Sequence, residues 1–236
     1  MTIFPITQVP LTIPGCKLWL DAADRSTITQ SSTVSVWKDK SGSGNNTSNG
    51  GGATQPSYNS TGLNGLPAIV FTLNKSLFNV TLVALQTGFT MFFVAQQSNI
   101  VGGGGAMLFN QGGTSNNLFC RFDPPAEANR FSSFIKVAGS LEPRVQVSTV
   151  LTQGTPYILS AKYNGTTLTS TMHNNGVSSS RTRTPADAGV AGFTIGNQNT
   201  SDLALSESLI YSSNLSDGNI TNIARYLANK WGVSIA

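Results

Sequence analysis

Ten carboxylates, one histidine and two cysteines are the groups on which hydrolytic or metal chemistry would have to be built in this 236-residue chain. Asp21 and Asp24 lie three apart, and Asp39 follows within Trp37-Lys38-Asp39-Lys40-Ser41-Gly42. Carboxylates together with loop carbonyls are the oxygen ligands that hard cations take, so Asp21, Asp24 and Asp39 form a candidate Ca2+ site. The competing reading is structural. Asp39 bonds the backbone of its own glycine-rich turn, Trp37 fills the core edge, and Asp24 caps a helical turn at Arg25. A hard cation wants six or more oxygens, which favours the structural reading and an expectation of no cofactor.

Acid–base and nucleophilic chemistry find less. Retaining glycoside hydrolysis needs two carboxyl groups about 5–5.5 Å apart. Glu207 has Ser206 and Ser208 as neighbours, and Asp202 is the only acid within six residues; Glu127 and Glu142 fall in proline-containing loops. His173, the sole histidine, directly precedes Asn174-Asn175-Gly176, where a hydrogen-bonded turn residue is expected. No Gly-x-Ser-x-Gly elbow accompanies it. Cys16 and Cys120 are too far apart for a metal or redox spacing and read as two buried thiols, with a single disulfide as the alternative. Gly102 to Gly105 lacks the Gly-Lys-Ser/Thr ending of a phosphate loop and reads as a mobile turn. The expectation is a protein that is not an enzyme.

Aromatic side chains offer another chemistry, because a ring face can stack on a sugar. Tyr58, Phe131 and Phe134 are the candidate glycan contacts; Phe119 and Phe122 sit in a run that reads as a strand.

The elements that must position these residues are short. Apolar runs alternate with Gly, Asn, Ser and Pro clusters, the pattern of an all-β sandwich or barrel. Strands are expected at 17–20, 68–72, 89–96, 157–163, 166–173, 193–196 and 203–211. Along 157–163 the alternation implies one buried face. Asn164-Gly165 and Asn175-Gly176 predict type I′ hairpin turns. Ile220, Ile223, Ala224, Leu227 and Trp231 recur at helical spacing, so one short C-terminal helix is expected over about 216–230, capped by Ser216 or Asp217 and stopped by Gly232. Met1 to Pro14 carries three prolines and reads as an extended arm, with residues 15–236 as a single domain. Its apolar side chains, Phe4, Ile6, Val9 and Leu11, are the candidate partner-docking residues.

Composition narrows the partners. Charged residues are 10% of the chain, against a usual level of about 25%, so the surface is polar by hydroxyl and amide. The net charge of +4 comes with no Lys/Arg cluster, which argues against nucleic acid. No run approaches the ~20 apolar residues of a membrane helix, and no secretory signal is read at the start. Nine Asn-x-Ser/Thr sequons are read as composition rather than as glycosylation sites.

Several motifs carry a family resemblance. Leu18-Trp19-Leu20-Asp21-Ala22-Ala23-Asp24 precedes Val36-Trp37-Lys38-Asp39-Lys40-Ser41-Gly42-Ser43-Gly44-Asn45. Gln55-Pro56-Ser57-Tyr58 and Gly62-Leu63-Asn64-Gly65-Leu66-Pro67 follow, and Glu207-Ser208-Leu209-Ile210-Tyr211 and Tyr226-Leu227-Ala228-Asn229-Lys230-Trp231-Gly232 close the set. In this order they resemble the laminin-G-like, concanavalin A-like family. Residues 97–150 match nothing in it. The resemblance implies a jelly-roll sandwich of two antiparallel sheets. Glucanases of this fold carry Glu-x-Asp-x-x-Glu on one strand, which this chain lacks, so glycoside hydrolysis is the least favoured activity. Members of the family occur in bacterial surface, phage tail and large-DNA-virus proteins. The resemblance therefore implies a virion-surface structural component (minor capsid, spike or fibre) docking on coat proteins or copies of itself. The alternative is a carbohydrate-binding module for attachment to host glycans.

Overall fold

The computed structural model describes residues 9–49, 51–80, 85, 88–99, 105–112, 117–137, 140–141, 144–183, 192–196 and 202–236. Within these, two antiparallel sheets form a β-sandwich with one short C-terminal helix, the architecture expected from the alternating pattern. The first sheet runs Val177–Thr182, Thr167–Met172, Pro156–Tyr163, Phe89–Asn99, Asp202–Tyr211, Leu66–Phe71, Ser57–Leu63, with Cys16–Asp21 also paired to Asp202–Tyr211. The second has Ala106–Gly112 and Phe193–Gly196 near its middle. Its flanks are Asn117–Phe122 and Phe131–Val137 on one side and Ser76–Asn79, Thr47–Ser48, Val34–Trp37 and Ile28–Gln30 on the other.

Strand period explains the core. On Cys16–Asp21, Leu18 and Leu20 are fully buried on one face, while Trp19 and Asp21 point the other way. Phe71, Phe92, Phe93, Phe109 and Phe193 fill the interior, and the rings of Phe109 and Phe193 stack at 5.4 Å. The strand Asp202–Tyr211 has a register shift against Phe89–Asn99 between Leu205 and Glu207, where Ser206 is the extra residue. Such bulges re-aim the side chain beside them, and here that side chain is Glu207.

Helix α2 (Asp217–Trp231) forms where its apolar period placed it. Ser216 Oγ accepts from the Asn219 amide at 3.3 Å, and Gly232, at φ 63°, closes it. Ile223, Ala224, Leu227 and Trp231 are buried, so the helix is packed against the outer side of the first sheet. A single turn, α1 (Val9–Thr12), contacts α2 and the strand Cys16–Asp21.

Three local expectations change. Val9–Thr12 is helical rather than extended, Pro10 and Ile13 are buried, and Tyr211 Oη donates to the Pro10 carbonyl at 2.9 Å. The second half of the proposed arm is thus tied to the body. Both hairpins occur, but only Gly165 (φ 89°) and Gly176 (φ 68°) take positive φ, so neither turn is type I′. The Asn164 carboxamide instead accepts from the amides of Thr166 and Thr167 at 3.0 and 2.7 Å. On Pro156–Tyr163 both faces are covered: Ile158 and Ser160 are as buried as Leu159 and Ala161, because His173 lies over Ser160. Of the glycine run, residues 102–104 lie outside the described residues, as does Glu142.

Candidate functional site

Asp21 and Glu207 are directly opposed in the antiparallel pair between Cys16–Asp21 and Asp202–Tyr211. Trp19, two residues before Asp21, shares their face. Helix α2 lies over that face and presents Tyr226, Lys230 and Trp231. Glu207, 0% exposed, receives four hydrogen bonds. Trp19 Nε1 and Tyr226 Oη donate to Oε1 at 2.7 and 2.8 Å; Lys230 Nζ and Trp231 Nε1 donate to Oε2 at 2.7 and 2.6 Å. A carboxylate has about four lone-pair sites, so its capacity is filled.

The network continues outward through two lysines. Lys230 Nζ also pairs with Asp21 Oδ1 at 2.8 Å. Lys40, just after Val34–Trp37, bonds Asp21 Oδ2 at 2.8 Å and Asp24 Oδ2 at 2.9 Å, with its ammonium 4.4 Å from the centre of the Trp19 ring. Burial pushes the Glu207 carboxyl above its ordinary range, while the Lys230 charge pulls the other way. Burial works against the Lys40 charge, yet the hydrogen bonds it donates to the Asp21 and Asp24 carboxylates lift its pKa above the ordinary value. Hydrogen bonds from Ser26, then Lys40, hold Asp24 below the usual carboxylate range.

Above this network opens a cleft of about 590 Å3. The turn Ala23–Ser26 forms one wall, Tyr226 and Asn229 of α2 the other, and Asp21, Lys40 and Lys230 the floor. The Arg25 guanidinium is 4.4 Å over the Tyr58 ring. A second depression of about 380 Å3 shares Tyr226 and Asn229 and extends along α2 past Arg225, Asn222 and Asn219 to Thr12 and Val9. A third, also about 380 Å3, lies between α2 and the strands from Pro156 to Thr182. It is lined by the hydroxyls of Ser160, Thr167, Thr169, Thr171 and Ser178 and by His173. Burial lowers the His173 pKa to about 4.

The expected site residues separate. Asp21 and Asp24 do meet, but the position between them is held by the Lys40 ammonium, which takes one oxygen of each. Asp39 accepts from the amides of Trp19, Ser41 and Asn45 at 2.8–2.9 Å and from Ser41 Oγ at 2.8 Å, so it organises its own turn. These oxygens do not fit a cation, and the described residues hold no group of three or more His, Cys, Asp or Glu suited to one. Phe131 is 0% and Phe134 7% exposed; neither ring offers a free face, which removes both as sugar platforms. Tyr58 is half-buried beneath Arg25. Phe4 and Ile6 lie outside the described residues. Val9 packs on the core, whereas Leu11 is 44% exposed.

Sequence reasoning missed Lys40, Glu207, Tyr226, Asn229 and Lys230 as one cluster, along with the flanking Arg25 and Arg225. A signal existed for five of the seven: Lys40, Glu207, Tyr226, Asn229 and Lys230 all lie inside the motif strings that carry the family resemblance.

No family model matches the sequence, and no curated protein is significantly similar to it. Solved structures do match in shape. The botulinum neurotoxin serotype D binding domain superposes at a TM-score of 0.64 with 12% identity, over 94% of this chain and 54% of that one. The serotype D ligand binding domain in complex with N-acetylneuraminic acid gives 0.63 with 12% identity, over 97% and 56%. A type C neurotoxin structure, described as dependent on two ganglioside molecules for cell entry, gives 0.60 with 9% identity, over 93% and 53%. The chain spans about half the length of the structures it matches. At such identities the likeness is one of fold alone, a β-sandwich shared with about half of each of these structures.

Proposed function

We propose that the chain is a carbohydrate-binding module whose sugar site is the cleft between the Asp24–Ser26 turn and helix α2. The observation that carries this reading is the contrast between floor and rim. The floor is an ionic network with every partner in place. Its lysines and carboxylates are held by one another, so the cleft keeps its shape before a ligand arrives. The rim is exposed and polar: the Arg25 guanidinium, stacked on Tyr58, and the Asn229 amide stand where they can meet sugar hydroxyls. A pocket with a few convergent polar groups of this kind is the ordinary form of a small-ligand site.

The matched binding domains include ones in complex with N-acetylneuraminic acid or dependent on gangliosides. Those ligands belong to whole domains about twice this chain's length, so the cleft itself is the stronger support. Binding without hydrolysis agrees with Glu207, whose oxygens are engaged four times and fully buried, leaving no free lone pair for a nucleophile. Of the docking residues read from the arm, Val9 packs onto the body and Leu11 is exposed. A module of this kind on the surface of a virion or other particle would serve attachment; mass spectrometry of purified particles checks that location.

The test is a glycan array probed with a multivalent display of the chain, which raises weak single-site affinity into range. Binding to a set of glycans, lost in Arg25→Ala/Asn229→Ala with an unchanged circular-dichroism melt, supports the reading. A blank array for the wild type sinks it.

A further inference from the structure

We propose that the ligand is an anionic oligosaccharide of at least two sugar residues, lying along α2 through both contiguous depressions, with its carboxylate or sulfate held by Arg225. This rests on the carbohydrate reading above and adds the length and charge of the ligand.

Length follows from continuity. The two depressions share Tyr226 and Asn229, so they adjoin along the same side of α2, with the exposed Asn229 at their junction. Asn222 and Asn229 are separated by seven residues of one helix, about 10 Å along its axis at 1.5 Å per residue. A single sugar ring would leave one depression empty.

Charge follows from the pairing pattern. Four cations border the combined trough. Lys40 and Lys230 are each bonded to two carboxylates. Arg25 and Arg225 have no carboxylate within ion-pair distance among the described residues. Arg25 is stacked on Tyr58. Arg225 is exposed on α2 between Asn222 and Asn229, its neighbours at three and four residues on the helix surface. A guanidinium with no counter-charge, flanked by two amides, matches an anionic group with hydroxyls on either side.

The amides themselves need a reason. Asn is a poor helix former, because its side chain competes for the backbone. Asn222 and Asn229 nevertheless stand exposed on a 15-residue helix. The side chains of Asn222 and Asn229 bond to nothing among the described residues. Each can donate and accept at once, the pairing that vicinal sugar hydroxyls offer.

Isothermal titration of the whole chain with three trisaccharides of one core, neutral, sialylated and sulfated, tests this, alongside the free monosaccharides. An anionic trisaccharide should bind at least about tenfold tighter than the neutral one, and Arg225→Gln should remove about that factor, as loss of one charge-assisted pair does. Arg225→Lys should recover part of it. The sialylated and sulfated arms identify which anion is read. Equal affinity for neutral and anionic ligands, with Arg225→Gln silent, overturns the charge assignment while leaving the module a sugar binder. Monosaccharides binding as tightly as trisaccharides overturn the two-depression path. No binding by any ligand defeats the carbohydrate reading itself.

Discussion

Asp21 and Glu207 face each other across one antiparallel pair, and a single ammonium, Lys230, bonds both, at 2.8 and 2.7 Å. Two carboxylates side by side in a buried setting repel, and the cation between them is what makes the pair tolerable. Helix α2 supplies that cation, so its docking and the ionic network depend on each other.

Lys230→Met should therefore destabilise the fold by about 3–5 kcal/mol, the scale for removing one partner of a buried ionic group. Urea denaturation measures it. Glu207→Gln in the same background should recover part of the loss, because it removes one of the stranded charges. A loss under about 1 kcal/mol would mean water replaces the ammonium freely.

Asp39→Ala should cost roughly 2–3 kcal/mol, since three backbone amides and the Ser41 hydroxyl lose their acceptor. Calcium or a chelator should leave the melting temperature of the wild type where it is. A calcium-dependent rise would show that these carboxylates hold a cation after all.

His173 yields a pH dependence. Its folded pKa lies near 4, below the ordinary 6.5, because burial disfavours the charged ring, which meets Ser160 Oγ at 2.9 Å. Between those values the unfolded chain binds the proton and the folded chain does not. Stability from this group is therefore complete above about pH 6.5 and falls as the pH drops toward 4, by roughly 2–3 kcal/mol. Denaturation midpoints compared at pH 7.5 and 4.5 for wild type and His173→Gln check this, with the variant losing that part of the slope.

Cys16 and Cys120 are both free, and burial raises each thiol pKa, that of Cys16 to about 12. Asp39 adds to the shift at Cys16. The thiolate is the reactive form, so neither should react with a thiol reagent at pH 8 in the native state. Both should react once denatured. Rapid native modification of Cys16 would place it in a far more open setting.

Local order was legible because it is written in near neighbours. The span of α2, its Ser216 cap and its Gly232 stop follow from residues within one or two turns. The strand Phe89–Asn99 and both hairpins follow from short apolar runs and Asn-Gly pairs. Local reading failed where the neighbour was distant. Phe131 and Phe134, read as candidate glycan contacts, lie on the strand Phe131–Val137 with both rings buried. The alternation on Pro156–Tyr163 did not show that His173 would cover Ser160.

The sequence by itself determined that this is an all-β sandwich with one C-terminal helix, since side-chain period and turn chemistry act over a few residues. Only the tertiary structure decided that Glu207 is a hub. Its partners Trp19 and Trp231 lie 188 and 24 residues away along the chain. The register between two strands from opposite ends of the chain decides which acid faces which. That register is set by packing across the whole sheet, and no local pattern encodes it.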